Sequence, residues 1–375
     1  MPWCAGWPGV SPSGTPTRWV WRSRRTEGWT PILTSRTVPT RLPRRSGFSW
    51  YRTIRLNAAG RLLDDAAEPV PAARVREHLA SRLRLPRSVT DIFVFVHGWR
   101  TPHRTAQSSF ARFFGAVWNG RERWASLPGA AGPFVPWFIG VQWPSSSAPT
   151  PGGYQRIRER AHAVSTGGHA AFVLGQLLGY LDEQRDRPRR GADRLTNAAG
   201  QYVHCVGHSF GGRFLGEAIR RAADRPAGTL GWDHRSRHPF GVDTYLAFQM
   251  AAPPDIFDGR LAGILTDGVV HGRIVLTYSR LDHANAIWHR AMERRPGIGA
   301  VGATAPAGLV STIPLHRPGD PYHRADFATP IVNVDASPVF TRPRLSVTGA
   351  HSDYWHAHSI HLLLSLAALA RPTGG

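Results

Sequence analysis

Residues 201–212 read Gln-Tyr-Val-His-Cys-Val-Gly-His-Ser-Phe-Gly-Gly, an apolar run that ends abruptly in Gly207-His208-Ser209-Phe210-Gly211. The pentapeptide is G-x-S-x-G, set between a short buried strand (residues 202–206) and a helix-like stretch starting near Gly212. Such a turn is so tight that its serine takes a strained backbone conformation, and glycines stand two before and two after because a Cβ there would collide with neighbouring chain. Ser209 is thereby expected at the exposed end of its strand. The helix behind it aims its first amides at the same place, so the N–H of Phe210 can bind a developing oxyanion. The plainer alternative is a Gly-rich strand-to-helix turn with an incidental serine, and the rest of the chain has to decide between them.

The surrounding pattern alternates strand and helix. Residues 49–56 alternate well enough for an edge strand, and residues 71–83 carry helical spacing at Val75, Leu79 and Leu83. Residues 89–96, Val-Thr-Asp-Ile-Phe-Val-Phe-Val, are the most strand-like of all, and their near-continuous apolar character predicts burial on both faces of a parallel sheet. They run into His97-Gly98-Trp99-Arg100, a turn at the edge where open α/β sheets bind ligands. Helices are predicted over 105–118, most of 154–183, 214–223, 261–265 and 359–370, and strands over 134–143, 243–252, 273–278 and 330–334. Residues 185–194 and 225–239 read as polar surface connections, and the Gly/Pro/Ala-rich residues 294–328 as a lid or rim. The fold class is α/β, a doubly wound and mostly parallel sheet with helices on both faces.

Composition narrows the function classes. Residues 1–47, rich in Pro, Trp, Arg, Ser and Thr with Glu27 as their one acid, predict a disordered basic tail or upstream sequence translated from an early start; residues 48–375 form the folded domain. The formal charge is +21, and all 46 basic residues are arginine. Ten of these arginines fall in residues 1–55. The rest are scattered rather than gathered on one helix face with interleaved aromatics, which predicts no specific nucleic-acid partner. No apolar run approaches the length of about 18 residues that spans a bilayer, and no apolar segment follows Arg24-Arg25, so no membrane span and a cytoplasmic location are expected. Cys4 and Cys205 are the only cysteines, which excludes a disulfide framework.

A serine hydroxyl becomes a useful nucleophile when a histidine takes its proton and a carboxylate fixes that histidine's tautomer. In a doubly wound sheet the acid and base sit after later strands, in the chain order Ser, Asp or Glu, His. Asp282, after the 273–278 strand, is the preferred acid, with Asp255 after the preceding strand as competitor. His351, in Gly349-Ala350-His351-Ser352-Asp353-Tyr354, is the preferred base among 18 histidines, with His356, His358 and His361 as competitors. Asp353 reads as a cap or loop residue. The cluster of His351, Asp353, His356 and His358 has no H-E-x-x-H pattern, so no metal is expected. His97 and His208 are candidate substrate-lining side chains, although for His97 a plain turn role is the simpler reading.

Taken in order, the strand ending in Val96-His97-Gly98, Trp143-Pro144-Ser145 followed by Tyr154, the Gly207–Gly211 pentapeptide, Ala251-Ala252-Pro253-Pro254-Asp255, Tyr278-Ser279-Arg280-Leu281-Asp282-His283-Ala284 and the Gly349–Tyr354 segment resemble an uncharacterised bacterial branch of the α/β-hydrolase superfamily. The resemblance covers about residues 89–370. It implies Ser209 as nucleophile, Asp282 as acid, His351 as base, and the amides of Trp99 and Phe210 as oxyanion donors. Trp99-Arg100 departs from the smaller or polar pair often found after His-Gly, and against the resemblance this implies a narrower acyl pocket. The expectation is a serine hydrolase acting on a small-molecule ester or related acyl bond without a cofactor. An acyltransferase or peptidase on the same triad, or a hydrolase-fold binding module, are the alternatives.

Overall fold

The computed structural model describes residues 19–24, 27–33, 51–86, 88–99, 103–146, 151–164, 169–184, 201–223, 241–266, 270, 272–342 and 348–371. The chain divides into two units, Met1–Ser49 and Trp50–Gly375. In the first, β1 (Trp19–Arg24) and β2 (Glu27–Leu33) pair antiparallel. Both segments fall within residues 1–47, for which the sequence predicts a disordered tail. The rest of residues 1–47 lies outside the described residues.

The second unit holds one nine-stranded sheet. Its strands are β3 (Tyr51–Leu56), β4 (Leu62–Leu63), β5 (Asp91–Val96), β6 (Pro136–Gln142), β7 (Tyr202–His208), β8 (Thr244–Phe248), β9 (Ile274–Tyr278), β10 (Val310–Pro314) and β11 (Ile331–Asp335). The helices are α1 (Val75–Arg82), α2 (His103–Gly120), α3 (Pro151–His162), α4 (Ala170–Gln184), α5 (Phe210–Ala223), α6 (Ala262–Thr266), α7 (His289–Glu293), α8 (Ile298–Val301) and α9 (Ala357–Leu369). Spatial order is β10-β11-β9-β8-β7-β5-β6-β3-β4, and every pairing is parallel except β3 with β4.

Burial on both faces explains why β5 reads as a continuous apolar run. Ile92, Val94 and Val96 join one core with residues of α1, α4 and α5, while Phe93 and Phe95 join a second core with Phe110, Phe113 and Phe114 of α2 and Leu362, Leu363 and Leu366 of α9. The α/β class is thus shown, with helices on both faces of a mostly parallel sheet.

Three local expectations change. The strand over 49–56 is one in from the edge, because the two-residue β4 pairs outside it. The helix over 154–183 is described as two helices, α3 and α4, and residues 165–168 lie outside the described residues. Residues 294–328 are not simply a lid or rim: they contain α8 and the edge strand β10, whose five residues are too few to stand out in a Gly/Pro-rich surrounding. The polar connections at 185–194 and 225–239 lie outside the described residues. Among the described residues, no helix is long and apolar enough to cross a membrane.

The sheet order positions the site. From β5 the chain moves to β6 on one side, and from β7 it moves to β8 on the other. The strand ends at β5 and β7 therefore border a topological switch point, where open α/β sheets form a crevice beyond their carboxyl edge.

Candidate active site

Ser209 follows β7 directly and sits at φ 55°, in the left-handed region that a residue with a Cβ rarely adopts. Two glycines make that turn sterically possible: a Cβ at Gly207 would collide with Gly212, and one at Gly211 with the carbonyl oxygens of Val96 and His97. The amide of Ser209 donates to the Phe248 carbonyl (2.9 Å), which ties the turn to β8. Helix α5 starts at the next residue, and its first amides have no partner inside the helix itself.

Three distant segments meet at this turn. Nε2 of His351 lies 2.6 Å from Ser209 Oγ, and Nδ1 of the same ring lies 2.8 and 3.0 Å from the two carboxylate oxygens of Asp282. Asp282, after β9, is fully buried, and His351 is 5% exposed. With Nδ1–H donating to the carboxylate, Nε2 presents its lone pair to the serine hydroxyl. The arrangement can take a proton from Ser209 and hold the resulting imidazolium beside a carboxylate.

The turn after β5 is fixed from within. His97 Nδ1–H donates to the Gly98 carbonyl (3.0 Å), and Nε2 accepts the Trp143 amide (3.4 Å), while the Trp143 indole N–H donates to the His97 carbonyl (2.9 Å). Burial pushes the His97 pKa down to about 4, against the opposing hydrogen bond to Gly98, so the ring is neutral at pH 7. Because the Gly98–Trp99 peptide is trans, holding its carbonyl on the His97 ring turns the N–H of Trp99 the opposite way. The Trp99 indole packs edge-on against Trp288, 5.7 Å between ring centres.

His97 and His208, the candidate substrate-lining side chains, are both buried: beside its backbone partners His97 brings Nδ1 to 3.4 Å from Ser145 Oγ, and His208 Nε2–H donates to the His351 carbonyl (2.8 Å), with its ring against Tyr354. Burial, with a lesser contribution from neighbouring His351, lowers the His208 pKa to about 3. Both histidines hold the loops that carry the other groups.

The competitors lie elsewhere. Asp255 pairs with Arg295 (2.5 Å) on the surface. Asp353 accepts the amides of Thr341 and Arg342 (2.8 Å each) and pairs with His356, so it orients the loop rather than capping α9. His361 Nε2 contacts the Asp320 carbonyl (2.8 Å). Among the described residues no group of three metal-ligating side chains occurs.

Two residues were not foreseen. Gln249 and Asn285 both donate to Asp282 Oδ2, at 3.2 and 2.8 Å. A faint signal existed: Asn285 follows Asp282 by three residues, the reach at which a carboxylate accepts a local backbone amide, and the Asn285 N–H does donate to Asp282 Oδ1 (3.0 Å). Nothing in the sequence marked Gln249. Comparison of the chain with protein-family models, with curated proteins and with solved structures finds no match.

Proposed function

We propose that the protein is a serine hydrolase of α/β-hydrolase type, cleaving an ester or related acyl bond. The observation that carries this reading is the 2.6 Å contact between Ser209 Oγ and His351 Nε2, on a histidine whose other nitrogen is held by Asp282. His351 removes the hydroxyl proton as Oγ attacks the acyl carbon. The amides of Trp99 and Phe210 receive the oxyanion, and His351 returns the proton to the leaving group as the acyl–oxygen bond breaks. Water then attacks the acyl-Ser209, giving its proton to His351, and the carboxylic acid leaves with Oγ reprotonated. No cofactor enters these steps.

The test is covalent labelling with a fluorophosphonate. Labelling that is lost in Ser209→Ala and collapses in His351→Ala supports an activated serine, and p-nitrophenyl esters of graded chain length then define the acyl preference. A folded parent that does not label refutes the reading and leaves a binding module as the better one. Products trapped by added amines or alcohols would instead mark an acyltransferase on the same triad.

A further inference from the structure

We propose that Gln249 and Asn285 are positioning residues, two buried amides that together fix the Asp282 carboxylate and the His351 loop in one mutual orientation. This rests on the reading of Ser209, His351 and Asp282 as the reacting groups.

The geometry shows what the pair does. Gln249 directly follows β8 at φ 47°, a left-handed conformation in which its own N–H donates to the Thr277 carbonyl (3.1 Å), and its side chain is fully buried. Strain of this kind persists where surrounding structure imposes it and is concentrated at functional sites. One Nε2 hydrogen goes to Asp282 Oδ2 (3.2 Å) and the other to the carbonyl of Ala350 (2.9 Å), the peptide leading into His351. A single amide thereby spans acid and base. Asn285, in the π-helical turn Ala284–Trp288, divides its Nδ2 hydrogens between Asp282 Oδ2 (2.8 Å) and the Gln249 carbonyl (3.1 Å).

The torsion that turns a carboxylate is soft and two-fold, so Asp282 facing His351 alone could rotate away from Nδ1. Two side-chain donors on Oδ2 and the Asn285 amide on Oδ1 define its plane. The other halves of the two amides show that donors are what this position uses. Among the described residues Gln249 Oε1 and Asn285 Oδ1 are buried with no hydrogen-bond partner, a desolvation cost that an apolar side chain would avoid. The backbone of Gly297 and Gly299 lies directly against Asn285, where a Cβ at either glycine would strike its amide.

The groups facing His351 are Asp282, Ser209, Asn285, whose Nδ2 approaches Nδ1 to 3.2 Å, and the neutral ring of His208. Asn285→Asp therefore sets a second carboxylate beside Nδ1. The experiment compares parent, Gln249→Met, Gln249→Glu and Asn285→Asp for fluorophosphonate labelling rate against pH, and for the far-downfield Hδ1 proton resonance of His351. Gln249→Met is expected to slow labelling about 10- to 100-fold and to broaden the Hδ1 resonance at an unchanged unfolding midpoint. Asn285→Asp, nearly isosteric, moves the acid limb of the profile upward by about one unit. Folded variants that label at the parent's rate with an unmoved acid limb overturn the positioning role while the hydrolase reading stands. A parent that does not label sinks that reading, and the resonance then decides: if it stays sharp in Gln249→Met, the positioning role is overturned as well.

Discussion

The same sheet carries two buried aspartate–histidine pairs, one at each end of the strands β5 and β7. Beyond the carboxyl edge, Asp282 holds His351, whose free nitrogen meets the hydroxyl of Ser209 on a strained turn. At the amino edge, Asp91 of β5 holds His204 of β7 (3.0 Å), and the remaining His204 nitrogen meets Thr244 Oγ1 (3.1 Å). There the carboxylate is also gripped by the guanidinium of Arg371 at 3.1 and 2.8 Å, which packs over Trp124 and Tyr202. Burial would raise the Asp91 pKa, but the hydrogen bonds and charges of His204 and Arg371 outweigh it and hold it below the ordinary value. Chemically similar pairs thus diverge through their third partner. A fixed cation and an unstrained strand hydroxyl make a clasp between the last helix and the sheet, whereas a hydroxyl at φ 55° beside a helix start makes a candidate nucleophile.

The sharpest way to break this comparison is to remove each histidine in turn. His351→Ala is expected to lower the labelling rate at least about a thousandfold, with little change in the denaturation midpoint; His204→Ala should leave labelling of the folded protein intact. A loss of labelling in His204→Ala comparable to that in His351→Ala would erase the distinction. Next comes Asp91→Asn, which leaves Arg371 buried without its anion and is expected to cost about 3–5 kcal/mol at pH 7 in urea denaturation. The folded Asp91 pKa is depressed, so its contribution is present above the unfolded value of about 3.9 and is lost as pH falls through the lower folded value. The gap between parent and Asp91→Asn should accordingly close in strong acid, and a gap independent of pH would deny the ion pair its role. The smallest effect belongs to Trp143→Phe, which deletes the indole donor to the His97 carbonyl. About 1 kcal/mol of stability should be lost, with a reduced labelling rate because the Gly98–Trp99 turn is less firmly held.

Much of the arrangement was legible because it depends on local chemistry. The pentapeptide at 207–211 demands a strand before and a helix after, and β7 and α5 stand there. The order of Ser209, Asp282 and His351 follows from where a doubly wound chain returns to its carboxyl edge. The hydrogen bonds of His97 and His208 were less legible, since a histidine beside a turn looks alike in sequence whether it points to a ligand or to a backbone carbonyl. The edge strand β10 escaped notice because a five-residue strand with one exposed margin has almost no periodicity of its own.

Gln249 marks the boundary between the two kinds of knowledge. Its neighbours in the chain are ordinary strand residues, and its partners Asp282 and Ala350 are 33 and 101 positions away. The sequence alone determined the alternation of strands and helices, the serine turn and the order of the three groups, because each is imposed by backbone sterics or short-range periodicity. The tertiary structure alone decided which nitrogens face which oxygens: why one buried aspartate–histidine pair meets a serine while the other is closed by arginine, and which amides hold the first in place. Hydrogen bonds are directional over about 3 Å, a scale on which only the folded packing of distant segments has any say.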